Sequence, residues 1–531
     1  MTAHEQAEIE RKYDVDVDAA ATVPVPALAA VDGIPSARFR EPVTLTAVYF
    51  DTERLDLAAH LIVLRRREGG ADEGWHIKKP AREGRTELHW PIGRRSDDGE
   101  IPDAVLEPVR AIVRDRALTP LARITTVRTA VHLLDDRGEA VAELADDEVS
   151  AVDVRGGESR SWREWEVELL PAAPKTRKAR TRLLDAIEQV LVAAGARPSA
   201  SAAKLAQALG VDSLTQIAPT ATAAAPVPAH GRQAGEDAPS AASVVAWALG
   251  RLAAELEDMD SGVRADRPHA VHRMRTAVRG LRSALATYRN LFDREAGDAL
   301  RDGLQWLGAA LGEARDAEVR GKRAAKELHA LPAHRSDVAV RTRLVDGARG
   351  EYAEAQERAR LAMTSPTYYR LLDALDDFVD NPPLTALAAA PAAGVVRKAL
   401  LADVQRLRER ADAALAAPAS RRETALHEAR KAARRLRHAT EAVTVGGAPG
   451  FGKAYRKVAA AARPIEKSLG EHRDRMLFAE HLETSANRAH DEGEETFVYG
   501  LLIGGEPPRD DAELSGLAAA VRRIERRAQA L

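Results

Sequence analysis

The pattern of hydrophobic and polar positions changes near residue 210. Before that point, short runs rich in Val, Ile, Thr, Tyr and Trp are separated by Gly, Pro and Asp. Such runs are typical of strands joined by turns, and their close spacing favours antiparallel hairpins that build one sheet. The predicted strands are 8–12, 45–50, 61–67, 75–78, 86–92, 123–134, 139–149 and 161–170.

A helical period replaces the strand pattern from residue 175 onward. Residues 175–194 carry one apolar stripe and predict a helix packed outside the sheet, and 199–209 predict a second, short helix that bears Lys204. Residues 211–239 are rich in Ala, Pro, Thr and Gly, which predicts a flexible linker. Long Ala-, Leu-, Arg- and Glu-rich runs then predict an all-helical domain. We therefore expect domains at 1–210 and 240–525, joined by the linker 211–239.

Composition adds limits to this division. A chain of 531 residues suggests about two to four domains, and 78 Lys and Arg against 81 Asp and Glu give a net charge that indicates no polyanionic partner by itself. The absence of Cys excludes disulfides and thiolate metal sites. Neither a leader pattern nor an apolar run near the ~20 residues of a membrane span is present, and we expect a cytoplasmic protein with no membrane partner.

Charged residues occupy one face of many predicted strands. Glu8, Glu10 and Lys12 share a face by the two-residue period of a strand, and Glu164, Glu166 and Glu168 share another across the apolar Trp165 and Val167. A solvated face explains any one such strand. On many predicted strands, however, one face carries both positive and negative residues and the other face carries apolar ones. A barrel with a charged interior fits this pattern better.

The same residues resemble a known family. The stretches that carry the resemblance are Glu8-Ile9-Glu10-Arg11-Lys12, Tyr49-Phe50-Asp51-Thr52, Leu64-Arg65-Arg66-Arg67, Ile77-Lys78-Lys79-Pro80, Arg85-x-Glu87 and Trp165-Glu166-Val167-Glu168. In that order they resemble the CYTH domain of the triphosphate tunnel metalloenzymes. The resemblance implies an eight-stranded antiparallel β-barrel with flanking helices, which binds a triphosphate and hydrolyses its terminal phosphoanhydride with Mg or Mn. Other members act on thiamine triphosphate, cyclise ATP or process RNA ends.

Two sets of candidate site residues follow from charge chemistry. Guanidinium groups grip phosphate oxygens bidentately and Lys acts as a point charge, so the candidate phosphate ligands are Lys12, Arg65, Arg67, Lys78, Arg85, Arg123, Arg128 and Lys204. Arg123 and Arg128 lie in opposite phase on one strand, and the pattern does not say which faces inward. Hard divalent cations take oxygen ligands, so the candidate metal ligands are Glu8, Glu10, Glu166 and Glu168, with Glu87 and Asp147 as helpers.

The helical half contains an internal repeat. Its first copy is His272, Arg275, Arg279 and Arg282, and its second copy, at identical spacing, is His427, Arg430, Arg434 and Arg437. Leu-Gly-Glu-x-Arg-Asp follows each copy and supplies Arg315 and Arg473, and Lys431 adjoins the second helix face. No acid lies between Arg267 and Phe292, so this basic face lacks helical partners of opposite charge.

This half resembles the CHAD domain, the conserved histidine α-helical domain. The resemblance implies two pseudo-symmetric four-helix bundles with a basic surface that binds inorganic polyphosphate. Nucleic acid is the alternative polyanion, but only 4% of the residues are aromatic, which disfavours base stacking. The oligomeric state is not indicated by the sequence.

These observations predict a metal-dependent inorganic triphosphatase, a hydrolase of phosphoanhydrides acting on tripolyphosphate or polyphosphate, with a polyphosphate-binding helical domain. One alternative is a polyphosphate-binding or granule-targeting protein with a weak or inactive tunnel. A class IV adenylate cyclase is a further alternative, for which we see no base-recognition signal.

Overall fold

The chain forms two compact units. The computed structural model describes residues 3–16, 24–92, 100–201, 203–211, 214–217, 239–332, 338–445, 450–504 and 512–531. Unit 1 is Met1–Ala221 and unit 2 is Thr222–Leu531. Over these described ranges, none of the helices combines the length and the apolar character that crossing a membrane requires.

Unit 1 is an antiparallel sheet with short helices. Its strands are β1 His4–Glu8, β2 Glu10–Val15, β3 Ser36–Phe39, β4 Val43–Asp51, β5 Val63–Glu68, β6 Gly74–Pro80, β7 Arg85–Pro91, β8 Thr119–Leu134, β9 Ala140–Asp153, β10 Ser159–Leu169 and β11 Arg197–Pro198. Its helices are α1 Asp56–Ala59, α2 Asp103–Leu106, α3 Arg110–Val113, α4 Arg177–Ala193, α5 Lys204–Ala208 and α6 Leu214–Ile217. Single 3₁₀ turns lie at Leu28–Ala30 and Glu107–Val109.

The sheet closes into a barrel because the first segment of the chain pairs with β7 on one side and with β10 on the other. The strand order is β1-β7-β6-β5-β4-β8-β9-β10-β2-β11, with β3 on β8. β1 pairs with β7 and β2 pairs with β10, and only Ile9 separates β1 from β2. The continuous segment 4–15 therefore closes the sheet. Together with β4 to β10 it forms the eight strands of the predicted barrel.

The strands of the barrel place their apolar side chains on the outer face and their charged side chains toward the interior. On β10, Trp165 and Val167 point outward and are fully buried beneath α4, which contributes Leu184 and Ile187 to the same apolar cluster. The alternate positions Glu164, Glu166 and Glu168 are acidic, and Glu166 and Glu168 line the interior. Since burying the apolar face stabilises the fold by about 25 cal/mol per Å², the outer face carries the hydrophobic core and the interior is left to charge. This agrees with the predicted charged interior and external helix.

Two turns fix the ends of the strands around the cavity. Gly84 adopts a φ of +67°, and a Cβ at this position would lie 2.0 Å from the carbonyl oxygen of Glu8. Only glycine permits this close approach between the β6–β7 turn and β1. After β4, the buried Asp51 carboxylate accepts hydrogen bonds from the amides of Thr52, Leu57 and Ala58 at 2.7 to 3.0 Å.

Packed residues of unit 1 are also found after Gly210. Leu214 of α6 is buried in the apolar cluster that α5 also joins, so the packed part of unit 1 continues beyond Gly210. Of the predicted linker 211–239, residues 212–213 and 218–238 lie outside the described residues.

Unit 2 is helical. Its helices are α7 Ala241–Arg264, α8 Ala270–Thr287, α9 Arg294–Ala330, α10 Val338–Arg341, α11 Gly347–Ala362, α12 Pro366–Asp380, α13 Ala392–Ala416, α14 Ala419–Thr444, α15 Lys453–Asp491, α16 Phe497–Gly504 and α17 Ala512–Ala528. A π-helical turn, Thr342–Asp346, joins α10 to α11, and 3₁₀ turns lie at Arg289–Leu291 and Ala386–Ala389.

The predicted duplication is visible in the packing. In one bundle α7 packs on α8, α8 on α9 and α9 on α11; in the other α13 packs on α14, α14 on α15 and α15 on α17, while α8 and α14 pack on each other. The Arg275 guanidinium of α8 lies over Gly312 of α9, and that of Arg430 on α14 lies over Gly470 of α15. These glycines are the second residues of the two Leu-Gly-Glu-x-Arg-Asp copies, so each copy lets an arginine lie close against the next helix.

Candidate functional site

The barrel encloses a small charged cavity. Its free volume is about 120 Å³, and its wall is built mainly from inward-pointing residues of the strands. The charged lining residues are Glu8, Glu10, Lys12, Arg65, Arg67, Asp72, Lys78, Arg85, Glu87, Arg128, Glu166, Glu168 and Lys204. The structure therefore brings together most of the residues that the sequence nominated from eight separate segments.

Two nominated residues are outside this lining. Asp147 is fully buried and pairs with Arg128 and Lys204. The other is Arg123. It is exposed on the outer face of β8, whereas Thr126 and Arg128 line the cavity. The two-residue period of the strand forces this outcome, because Arg123 and Arg128 differ by an odd number of positions and must point to opposite faces. Arg128 is therefore the inward arginine of this strand.

Two arginines of β5 form one cationic wall of the cavity. Arg65 lies 3.6 Å from Glu87 and 3.4 Å from the Tyr49 hydroxyl, and Arg67 pairs with Asp72. Burial together with Arg65 and Arg128 lowers the pKa of Arg67 to about 9. These cations are held close to one another at an electrostatic cost, which a bound anion would offset.

Four carboxylates form what we call the acidic cluster: Glu8, Glu10, Glu87 and Glu168. Glu10 and Glu168 are direct partners across β2 and β10, and Lys78 forms an ion pair with Glu8. Burial, followed by Glu8 and Glu10, raises the pKa of Glu168 to about 7, with Lys78 opposing the shift. Burial also raises the pKa of Glu8. Although burial opposes the shift, nearby cations hold the pKa of Glu10 and of Glu87 below the usual range. Glu8 and Glu168 are thus the members of the cluster that are short of positive charge.

One atom of the acidic cluster has no hydrogen-bond partner in the structure. The Glu8 side chain is 3% exposed, and its Oε2 atom accepts no hydrogen bond, while Oε1 is taken by Lys78. A buried carboxylate oxygen without a partner is costly. Such an oxygen is what a hard divalent cation requires, so the acidic cluster fits a metal ion on its own geometry.

A second group of acids, the ion-pair network, lies beside the acidic cluster. Asp147, Glu164 and Glu166 bring carboxylate oxygens within 4.8 Å of one another and are all buried. Lys204 lies 2.9 Å from Asp147 and 2.7 Å from Glu166. Arg128 and Lys12 supply further cations, with Arg128 Nη2 2.7 Å from both Asp147 and Glu166 and Lys12 paired with Glu166.

The two acidic groups differ in how completely they are neutralised. In the ion-pair network three acids face three cations, Lys12, Arg128 and Lys204, so its charge is balanced. In the acidic cluster four acids face Lys78, Arg65 and Arg85, and Lys12, which also acts on Glu10, is shared with the network. Although the network has the tighter spacing of oxygens, an added cation there would have to displace lysines. Charge therefore favours the acidic cluster as the place for an added cation, whereas the closer spacing of carboxylate oxygens lies in the network.

Sequence reasoning missed several residues in or next to the cavity, among them Asp72, which pairs with Arg67. Glu164 is 2% exposed and pairs with Lys204, although its phase on β10 already signalled an inward position. His76 is buried with Nδ1 3.0 Å from Glu87, and Tyr49 contacts Arg65. His76 shared a face with Lys78 in the sequence, but an aromatic residue in the middle of an apolar strand, such as Tyr49, carries no signal of its own.

Unit 2 presents a basic groove of about 350 Å³ beside α8 and α14. Its charged lining consists of Arg279, Arg282, Arg301, Arg406, Arg410, Glu428, Lys431, Arg434 and Arg435. Burial and the neighbouring Arg434 lower the pKa of Arg279 to about 10. Burial and Arg430 likewise lower the pKa of Arg434. The groove is therefore a concentration of cations with one acid among them.

The repeat residues do not share one environment. Arg279, Arg282, Lys431 and Arg434 line the groove. Arg275 is 2.7 Å from the Gly312 carbonyl oxygen, Arg315 pairs with Glu318, and Arg473 is 3.2 Å from His427.

Burial and Arg315 lower the pKa of His272, and burial and Arg473 lower that of His427. Arg437 is paired with Glu441 and Glu466. Arg301, Arg406, Arg410 and Arg435 were missed because they lie outside the repeated motif.

A charge-lined barrel followed by a duplicated helical unit with a basic groove defines a two-domain class of protein. The CYTH domain model matches residues 6–195, and the CHAD domain model matches residues 247–483. Over 534 aligned residues the chain is 36% identical to Uncharacterized protein Rv2226 of Mycobacterium tuberculosis strain H37Rv, with 98% of this chain and 96% of that protein covered. The chain belongs to the family of proteins that join a CYTH domain to a CHAD domain.

Solved structures resemble each unit. The CHAD domain of the plant Ricinus communis is 24% identical with a TM-score of 0.44, over 55% of this chain and 95% of that one. A putative adenylyl cyclase from Hippeastrum, HpAC1, whose structure is described as revealing a dominant triphosphatase activity, is 19% identical with a TM-score of 0.25, over 38% of this chain and 95% of that one.

Proposed function

We propose that the barrel is a metal-dependent triphosphatase that hydrolyses a terminal phosphoanhydride of inorganic tripolyphosphate or polyphosphate. The observation that carries the proposal is the separation of charge inside one cavity. Arg65, Arg67 and Arg128 offer cations to phosphate oxygens, while Glu8, with its unpartnered buried oxygen, is short of positive charge. A triphosphate chain and a divalent cation have complementary needs, and this cavity meets both.

In this proposal the basic and acidic residues of the cavity have separate roles. Arg65, Arg67, Arg85 and Arg128 bind and orient the phosphates, and Lys12 and Lys204 stay charged because they are paired with Glu166. Glu8, Glu10 and Glu168 would hold Mg²⁺ or Mn²⁺, with Glu87 as a helper oriented by His76. When bound, the ion neutralises phosphate charge and activates the attacking water.

We further propose that unit 2 recruits inorganic polyphosphate through its basic groove. The support is the run of cations Arg279, Arg282, Arg410, Lys431 and Arg434 along one groove. Neutralising a polyanion with such groups releases counterions, so binding should weaken steeply with salt. Competition between polyphosphate and DNA at moderate salt tests the alternative partner, and the groove's lack of aromatic side chains favours polyphosphate.

Phosphate release from tripolyphosphate, long-chain polyphosphate, ATP and thiamine triphosphate, in Mg²⁺, Mn²⁺ or EDTA, tests the proposal. The double change Glu8→Gln and Glu10→Gln should lower metal-dependent release at least about 100-fold, because a metal supplies several kcal/mol of charge stabilisation. Glu148→Gln, an exposed acid on β9, is the matched control and should leave activity unchanged.

The outcomes separate the candidate functions. Undiminished release by the double variant would contradict the metal assignment. No release from any substrate, with polyphosphate still bound, would favour a binding or granule-targeting protein. Formation of cyclic AMP from ATP in the same reactions would identify a cyclase instead.

A further inference from the structure

A second, mainly apolar pocket of about 440 Å³ lies in unit 2 where the end of α8 meets the beginning of α13. Leu291, Leu387, Val395, Ala399 and Ala402 supply apolar surface. Its volume falls within the range of small-molecule sites, which are commonly apolar with a few placed polar groups. Inorganic polyphosphate has no apolar part, so the polyphosphate proposal does not account for this pocket.

Hydrogen bonds hold the walls of the pocket in place. Thr385 donates from Oγ1 to the Asn290 carbonyl at 2.8 Å and from its amide to the Leu291 carbonyl at 2.9 Å. The Ala241 amide donates to the Ala390 carbonyl at 2.8 Å. The wall turns are thereby tied to α7 and to each other, and the pocket is formed before any ligand arrives.

A buried ion pair forms the polar end of the pocket. Asp403 is 2% exposed and accepts hydrogen bonds from Thr287 and from Arg435 Nε, the latter at 3.0 Å. Arg435 also donates to the Ala286 carbonyl, so its guanidinium is fixed in orientation. Arg289, Lys398 and Arg406 also line the pocket, and four cations against one acid leave it net positive.

This polar end opens into the basic groove. Ala286, Arg406 and Arg435 line both the pocket and the groove. An anionic group bound at Arg406 and Arg435 would therefore have arginines of the groove on one side and an apolar chamber on the other. The connected pocket and groove therefore suit a molecule with an apolar body and an anionic end.

We propose that the pocket and the groove together form a binding site for a small organic phosphate. The apolar or aromatic body occupies the pocket, and the phosphate end extends past Arg406 and Arg435 into the groove. This inference rests on the proposed phosphate-binding role of the groove and adds the ligand class that the apolar chamber selects. Such a ligand would compete with polyphosphate for the groove arginines.

Gly394 is a position at the wall of the pocket where a side chain can be added without a steric clash. It lines the pocket within α13, and a Cβ there would meet no atom within 4 Å. Gly394→Leu therefore places a side chain into open space and also replaces glycine with a better helix former. Gly350 of α11 is the matched control, since it is helical, has equally open space at its Cβ and does not line the pocket.

The test is calorimetric titration of the full chain in EDTA, which prevents metal-dependent turnover, with ATP as the aromatic probe and geranyl diphosphate as the aliphatic one. Tripolyphosphate and long-chain polyphosphate serve as ligands without an organic body. Gly394→Leu should weaken at least one organic probe by about tenfold or more and leave tripolyphosphate and polyphosphate unchanged. Gly350→Leu should leave all four unchanged.

Equal binding of both organic probes by wild type and Gly394→Leu would overturn the inference. In our proposal the barrel also binds triphosphates. The test therefore uses the difference in affinity between wild type and Gly394→Leu, and not the total affinity. If polyphosphate binds but the organic probes do not respond, the inference alone fails; if polyphosphate does not bind, the proposed role of the groove fails with it. Ala402→Leu, at an exposed pocket position, repeats the test should Gly394→Leu not fold.

Discussion

Neighbouring glutamates on β10 have pKa values shifted in opposite directions by their surroundings. Although burial alone would raise the pKa of Glu166, Lys12, Lys204 and Arg128 hold it well below its usual range. Two residues along, burial and Glu8 raise the pKa of Glu168 to about 7. The same residue type on the same face of one strand therefore has two roles: a fixed counterion for lysines, and a group whose charge changes near neutral pH.

The first prediction at this scale concerns pH. A carboxylate must lose its proton to ligate a metal, so Mn²⁺ binding should tighten as pH rises from 6 to 8 through the pKa of Glu168, about 7. Glu168→Gln should bind Mn²⁺ more weakly and with a flatter pH dependence. Calorimetric titration measures both; a wild-type affinity that is independent of pH would contradict the assignment.

The same shift has a consequence for stability without metal. The folded pKa of Glu168 lies above its usual value of 4.5, so the folded state binds the proton more tightly than the unfolded chain does. The resulting stabilisation is present at low pH and is lost as pH rises through about 7. Metal binding should offset this loss.

A second prediction concerns Lys204 of the ion-pair network. Lys204→Met leaves Asp147, Glu164 and Glu166 buried with one cation fewer. Removing one partner of a buried pair typically costs about 3–5 kcal/mol of unfolding free energy. Lys178→Met, at an exposed position of α4, is the control and should change stability by less than about 0.5 kcal/mol. Urea unfolding of both variants measures the difference.

At the scale of elements, an amphipathic strand and an amphipathic helix place charge by different rules. The strands of the barrel alternate strictly, so their charged face is enclosed once the sheet curls. The helices α8 and α14 instead present a basic stripe whose members meet different neighbours. Identical sequence spacing in the two copies therefore does not give identical surroundings, as Arg282 and Arg437 show.

The prediction at this scale compares two arginines of α14. Arg434 lines the basic groove, whereas Arg437 is already paired with Glu441 and Glu466. Arg434→Gln should weaken polyphosphate binding by about tenfold and reduce its salt dependence by roughly one charge. Arg437→Gln should change polyphosphate affinity little and lower thermal stability, because Glu466 and Glu441 each lose a cation and only Glu441 has Arg463 as a further partner. Equal loss of affinity in both variants would show that the groove is not the binding surface.

At the scale of the whole molecule, two compact units have separate cores and separate charged sites. Residues 1–221 enclose the tunnel, and residues 222–531 carry the groove and the apolar pocket. The two sites share one ligand class in our proposal, phosphate polymers, but bind them by different means. In that proposal the barrel cavity would surround a short chain together with a metal, and the groove would offer an open row of cations.

Calorimetry of the full chain tests this division. Two unfolding transitions are expected, and tripolyphosphate with Mn²⁺ should raise the barrel transition by the equivalent of about 2.7 kcal/mol at 100 times its dissociation constant. The Glu8→Gln and Glu10→Gln double variant should lose that shift while long-chain polyphosphate still raises the other transition. A single transition that responds equally to both ligands would contradict independent sites.

Much of the fold could be predicted because periodicity is local. The alternation on β10 placed Glu166 and Glu168 on one face and Trp165 on the other, and the structure has them so. The short strand β3 and the helices α2 and α3 were not predicted, since such brief elements carry too little periodic signal. The burial of Leu214 carries no local signal either, because it depends on contacts with distant strands.

The sequence by itself determined the architecture, a charge-lined barrel followed by a duplicated helical unit, because strand phase, helical phase and repeat spacing are written along the chain. Only the tertiary structure decided which charges neutralise which. Closure of the barrel brings Lys204 to Asp147 and leaves Glu8 Oε2 without a hydrogen bond, and packing of α8, α13 and α14 joins an apolar pocket to a basic groove. Ion pairing depends on distances between residues far apart in sequence, and those distances exist only once the chain has folded.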